Sequence, residues 1–204
     1  MIVTKAEACA KTKFRVWLDG EFAFVLYKSE LSRYGIREGA EIPPDTVEKI
    51  EKEVILKRAK LYAMHLLEDM DRTEYGLREK LRRAMYPEKA ADQAVEYVRS
   101  FGYLDDSRFA ENFVRSRKNS KSRREIRALL TQKGVSTERI DEAFEACYGE
   151  DEEQEAVRAL LRKKRFDPGE VDDQKMRKIY AYLARKGFGF ETVRQVIQNY
   201  GEDA

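Results

Sequence analysis

Leu77-Arg78-Glu79-Lys80-Leu81, Ile126-Arg127-Ala128-Leu129-Leu130 and Ile179-Tyr180-Ala181-Tyr182-Leu183 are three versions of one pattern. Five residues beyond each stretch stands an apolar residue, Tyr86, Val135 or Phe188, and ten beyond stands Ala91, Ile140 or Val193. The pattern continues as Val95 and Val98, Phe144 and Cys147, Ile197 and Tyr200. The stretches begin at 77, 126 and 179, intervals of 49 and 53 residues. A period near 50 residues with apolar positions at helical spacing implies three units of about three helices each. The fold expected is mainly α: three tandem three-helix repeats forming an elongated, curved solenoid.

The joints between helices agree. Gly134 and Gly187 stand where a helix ends in a left-handed residue, a conformation that glycine adopts without a Cβ clash. Val135 with Ile140 and Phe188 with Val193 have the spacing of a hydrophobic staple. Repeat one has Met85 in place of the glycine, which predicts a different or strained joint.

Residues 1–44 have another texture. Phe14-Arg15-Val16-Trp17-Leu18 and Glu21-Phe22-Ala23-Phe24-Val25-Leu26 flank Asp19-Gly20, a pair suited to the positive φ angles of a two-residue hairpin turn. Ile2 to Ala8 supplies a candidate third strand. Ser29 is a candidate cap for a short helix through Tyr34, and Pro43-Pro44 closes this small α+β domain. Apolar spacing then predicts a helix from Asp45 to about Arg58. The expected divisions are 1–44 for the hairpin domain, 45–56 for the start of a connecting helix, and 57–104, 105–149 and 150–204 for the repeats.

Composition narrows the function classes. With 38% charged residues, well above the roughly 25% of an ordinary globular domain, the chain favours solvated helices over a sheet-rich enzyme core. Cys9 and Cys147 are far apart and form no CxxC motif, so neither a disulfide framework nor a zinc site is expected. No apolar run approaches the roughly 18 residues of a membrane span, and residues 1–14 lack the apolar stretch of a signal peptide. These features predict a cytoplasmic protein with no membrane partner. Phosphate-cradling and nucleophile-elbow motifs are missing, and His65, the only histidine, has no candidate catalytic partner. We expect no enzyme, no cofactor and no metal.

The net charge of +2 predicts no polyanion partner, so the distribution of charge must decide. Arg115, Arg117, Lys118, Lys121, Arg123, Arg124 and Arg127 are interrupted by one acid, Glu125. Such a cluster releases counterions when it meets phosphates. The alternative is a solvated helix end balanced by the acidic run at 149–155. Arg162-Lys163-Lys164-Arg165 forms a second cluster, and Arg78, Lys80, Arg82 and Arg83 a third. Equivalent placement in successive repeats would line these cations up as a stripe. A helix-turn-helix reading the major groove from repeat two is disfavoured, because Glu138, Asp141, Glu142 and Glu145 on its second helix would face phosphates. Repeat three, with Arg194, Gln195, Gln198 and Asn199, is a weaker exception. Tyr180 and Tyr182 are candidates for base stacking, although their helical spacing suits a core equally well. Asp105-Asp106 opens a helix, which makes capping a better account than metal binding.

Asp71-Arg72-Thr73-Glu74-Tyr75-Gly76-Leu77-Arg78-Glu79-Lys80-Leu81, then Phe101-Gly102-Tyr103-Leu104-Asp105-Asp106-Ser107-Arg108-Phe109-Ala110-Glu111, then Arg127 to Gly134, resemble the RecX family of bacterial recombination regulators. The likeness runs from about 57 to 200, and the hairpin domain more loosely resembles an N-terminal extension found in some members. One departure is Gly76, where the family usually has a longer residue able to complete a capping box with Thr73.

The resemblance implies a monomeric regulatory protein that binds the RecA recombinase filament on single-stranded DNA. It would lie in the helical groove and inhibit strand exchange. The cations of the first two clusters would contact RecA or DNA, directly or through the filament. Arg72, Thr73, Tyr75, Leu77, Leu81, Gly102, Tyr103, Leu104, Asp105, Asp106 and Phe109 would be mostly structural. The alternative is a general single-stranded nucleic-acid-binding protein that acts without a filament partner.

Overall fold

The computed structural model describes residues 1–149 and 151–200, which divide into two compact units at Asp105 and Asp106. In the first unit, β1 (Val3–Ala10), β2 (Lys13–Leu18) and β3 (Glu21–Tyr27) form an antiparallel sheet in that order. Asp19 and Gly20 join β2 to β3 at φ 49° and 91°, the two positive angles that the hairpin turn requires. Val3, Val16, Leu18, Phe24 and Leu26 turn one face of the sheet into the core.

Helix α1 (Lys28–Tyr34) follows β3 directly. Its cap is Tyr27, not the expected Ser29: the helix starts at Lys28, so Ser29 falls inside the first turn. The Glu30 carboxylate reaches back to accept a 2.7 Å hydrogen bond from the Tyr27 amide.

The connecting segment does not end where the first repeat begins. Helix α2 (Pro44–Ile50), a π-helical stretch (Glu51–Leu56) and α3 (Lys57–Asp69) run on without a break, with Ile50, Leu56 and Lys57 all in right-handed helical conformation. Helices α4 (Glu74–Arg83) and α5 (Glu88–Ser100) complete the first repeat. One core extends from Val3 and Phe24 of the sheet through Ile55 and Ala59 to Leu77, Leu81, Val95 and Val98. The apolar face of the sheet is part of the same core as the long helix and its two partners. The divisions expected at 44 and 56 therefore fall inside one compact unit.

The second unit holds the other two repeats. Helices α6 (Asp106–Arg117), α7 (Arg123–Gln132) and α8 (Thr137–Cys147) surround Val114, Ile126, Leu130, Ile140 and Phe144. Helix α9 (Glu152–Lys163), a single 3-10 turn (Pro168–Glu170), α10 (Asp173–Arg185) and α11 (Phe190–Gln198) surround Val157, Leu161, Leu183, Val193 and Val196. The architecture is thus mainly helical, with three three-helix domains after a small sheet. The staple residues Val135, Ile140, Phe188 and Val193 are all buried.

Gly134 and Gly187 take φ 80° and 90° at the ends of α7 and α10, and Met85 takes φ 61° at the corresponding joint of α4. Repeat one thus forms the same left-handed turn with a Cβ present, and so carries strain of about 1–2 kcal/mol.

Candidate functional site

The basic segment between α6 and α7 is shaped by its caps. Ser122 ends the loop, its Oγ accepting a 3.1 Å hydrogen bond from the Glu125 amide. Arg123 and Arg124 consequently occupy the first turn of α7, where the helix dipole disfavours cations. Neither arginine is placed to stabilise its own helix.

The predicted cluster of seven cations does not act as one field, because most of it is neutralised locally. Arg115 pairs with Glu111 at 3.0 Å and Lys118 with Glu152 of α9 at 2.5 Å. Lys121 pairs with Glu125, and Arg127 with Asp141 of α8. Arg117 lies over the Phe113 ring at 4.3 Å and Arg123 over Phe144 at 4.9 Å. Arg124 is exposed and lines an open groove of about 770 Å³ between α7 and α10, together with Tyr182, Arg185, Lys186 and Gly187. Fully buried Ser122 donates a 2.8 Å hydrogen bond from its hydroxyl to the carbonyl of Lys186, one of the residues that line the groove.

Arg162, Lys163, Lys164 and Arg165 are all exposed at the end of α9. Arg162 is 3.8 Å from Glu155, and Arg165 sits in the left-handed region at φ 54°. Lys163, Lys164 and Arg165 border a second opening, about 580 Å³, to which α10 contributes Lys175 and Lys178. Lys164 Nζ lies 4.1 Å from the Tyr182 ring. Tyr182 lines the first groove, so this contact sets a cation of the second opening beside it.

Helix α10 therefore adds to the candidate Tyr182 three cations that sequence reasoning missed. Lys175, Lys178, Tyr182 and Arg185 fall at i, i+3, i+7 and i+10, the spacing of a single helix face. Over about 15 Å of helix they connect the Arg162–Arg165 cluster to Arg124 within the second unit. Runs of consecutive charge drew attention to the other segments. The signal here was cations at intervals of three and seven, visible only once α10 is treated as a helix with an outer face.

Three of the four cations of the third cluster, on α4, pair with acids: Arg78 reaches Glu74 and Asp92, and Arg82 and Arg83 reach Glu79. Burial raises the pKa of the Glu74 carboxyl, but hydrogen bonds and charge from Arg78 and Arg99 outweigh it and hold the group below its ordinary range.

Most of the family-motif residues build helix ends and core. Arg72 Nε donates a 2.9 Å hydrogen bond to the Leu66 carbonyl at the end of α3. Thr73 Oγ1 caps α4 by accepting from the Gly76 amide at 3.1 Å, and a Cβ at Gly76 would stand 3.1 Å from that same hydroxyl. Leu77 and Leu81 are fully buried and Leu104 is nearly so. Gly102 takes φ 73° after α5, Asp105 immediately precedes α6, and buried Asp106 lies 3.5 Å from Arg139. Phe109 stacks on Phe113. Tyr75 and Tyr103 differ: each is 53% exposed, so neither packs the core, and Tyr103 stacks on the likewise exposed Phe101. His65 is exposed on α3 beside Glu68. Among the described residues no helix is long and apolar enough to cross a membrane.

Comparison with known proteins accounts for this arrangement. The model of the first three-helix domain of RecX matches residues 59–97, that of the second matches 105–143, and that of the third matches 150–197. A Regulatory protein RecX from Caldanaerobacter subterraneus subsp. tengcongensis is 31% identical over 97% of this chain and 98% of its own. Another from Clostridium beijerinckii is 28% identical over 96% and 94%. Two solved RecX structures share the fold. One is a regulatory protein RecX with TM-score 0.65 at 24% identity, covering 96% of this chain and 98% of its own. The other, from Lactobacillus salivarius, has TM-score 0.61 at 23% identity, covering 71% and 95%. With three consecutive domain matches and a relative of this identity along nearly the whole chain, the protein belongs to the RecX family.

Proposed function

We propose that this protein regulates RecA by binding the recombinase filament on single-stranded DNA in its helical groove, and that it inhibits strand exchange. The single observation that supports this most is the surface of α10. Lys175, Lys178 and Arg185 project from one face around Tyr182, continued by Lys164 on one side and Arg124 on the other. A line of cations on a helical body suits a partner whose charge repeats along an axis, as phosphates and the acidic side chains of successive protomers do. The protein acts as a monomer by occupying this surface, without catalysis and without a cofactor.

The test is RecA-driven strand exchange with a variant carrying Arg124→Glu, Lys178→Glu and Arg185→Glu. All three side chains are exposed, so the melting temperature should stay close to that of the parent while inhibition is lost. Unchanged inhibition would remove α10 from the interface. Capture of the protein by RecA with and without single-stranded DNA and a slowly hydrolysed nucleotide separates filament binding from DNA binding alone. Equal affinity for bare single-stranded DNA, with the same salt slope, would favour a nucleic-acid-binding protein with no filament partner.

A further inference from the structure

The N-terminal sheet has a second face that the core does not use, and its chemistry is distinctive. Val16 and Leu18 point inward, so Trp17 points outward. Strict alternation along β3 would turn Phe22 inward with Phe24 and Leu26. Instead the β2–β3 register shifts after Val16, so that Val16 faces Phe24 while Trp17 faces Phe22. A bulge of this kind re-aims a side chain. Phe22 is left 40% exposed, edge-on to Trp17 with ring centroids 5.9 Å apart.

Cations surround the rings. Lys5 Nζ lies 5.1 Å from the centre of Trp17 and the Arg15 guanidinium 5.7 Å, while Lys13 lies 5.4 Å from the neighbouring Tyr27. Among the paired positions of this face, Lys5, Lys13 and Arg15 stand against Glu7, which both Lys5 and Arg15 approach. Arg15 Nε is out of solvent and has no hydrogen-bond acceptor. An incoming anion that drew the guanidinium off the ring would give that donor a partner.

We propose that this face binds single-stranded nucleic acid, with bases stacked on Trp17 and Phe22 and the flanking phosphates held by Lys5, Lys13 and Arg15. Aromatic rings on an open sheet, bordered by cations, take unpaired bases of any sequence because every base has a π-face. A duplex keeps its bases stacked internally and offers only its phosphates. The inference does not rest on the α10 surface, which lies in the other unit.

Trp17 is the only tryptophan of the chain, so its emission reports on this face directly. Titration of the full chain with a short oligothymidylate should quench that emission saturably, and more weakly as salt rises. Phe22→Ala combined with Lys13→Glu should weaken the apparent affinity roughly tenfold or more, whereas Lys49→Glu, at an exposed cation of α2 outside this face, should leave it unchanged. If Phe22→Ala perturbs the sheet, Lys5→Glu with Lys13→Glu carries the same test from exposed positions. Absence of quenching, equal quenching by duplex DNA, or quenching indifferent to the sheet variants would overturn the proposal. So would an acidic peptide that quenches as effectively as the oligonucleotide, since the face would then be a protein-docking surface. Loss of strand-exchange inhibition in the α10 variant, tested separately, bears on the filament and not on this face.

Discussion

Ser122 and Lys186 stand 64 residues apart, yet the Ser122 hydroxyl donates a 2.8 Å hydrogen bond to the Lys186 carbonyl while accepting another from the Glu125 amide. One fully buried side chain thus caps α7 and ties the second repeat to the C-terminal end of α10, beside Lys186, which lines the groove with Arg124. Gly187 lies against it at φ 90°, and a Cβ there would stand 2.7 Å from Ser122 Oγ. Ser122→Ala removes the cap and leaves a part-buried carbonyl without its donor, a loss of about 2–3 kcal/mol. Gly187→Ala adds backbone strain to the collision and should cost at least as much. Because Ser122→Ala also clears the collision, the double variant should lose less than the summed single losses when unfolding is followed by chemical denaturation. Additive losses would mean that the two residues do not share this joint.

Lys118 is a structural residue as much as a surface cation. Its pair with Glu152 joins α6 to α9, with about a quarter of each side chain exposed. Lys118→Glu should therefore destabilise the second unit by about 1–2 kcal/mol, between the cost at an exposed pair and that at a buried one. Glu152→Lys in the same chain should restore most of the loss. Thermal melts of the two single variants and the double variant measure this, and no recovery in the double variant would count against the pair. The same coupling makes Lys118 a poor probe of partner binding, since its removal alters the fold as well as the surface.

Glu74 links acid pH to the stability of the first unit. Its carboxylate receives Arg78 from its own helix and Arg99 from α5, and its pKa in the folded chain lies below the ordinary 4.5. A folded-state pKa below the unfolded one contributes stability that is complete above about pH 4.5 and disappears as pH falls through the folded value. Glu74→Gln should accordingly be less stable than the parent near neutral pH, with the gap closing under acid conditions. Denaturation midpoints at about pH 7 and about pH 3 test the sign. A gap that stayed constant would show that the carboxylate charge is not what holds α4 to α5.

Much of the helical architecture was legible because its signals are local. The apolar positions around Leu77, Ile126 and Ile179 recur at helical spacing, the glycines at 134 and 187 end their helices as left-handed residues, and Asp19-Gly20 turns the hairpin. Met85 was legible as an anomaly, and it takes the glycine conformation with its Cβ in place. Ser29 misled because capping depends on where the preceding strand ends, and β3 runs on until Tyr27.

The apolar period and turn chemistry alone determined that this chain makes three helical modules after a hairpin, since both act over fewer than about twenty residues. Tertiary structure decided which charges remain available. Lys118 meets Glu152, Arg127 meets Asp141, and Arg124 is left to the groove with Arg185 and Lys186. Likewise the shift in pairing between β2 and β3, and not the alternation of β3, puts Phe22 beside Trp17 in solvent. The physical reason is the same in both cases: a charge or a ring acquires its role from the neighbour that folding delivers, and that neighbour comes from another element whose position no local spacing encodes.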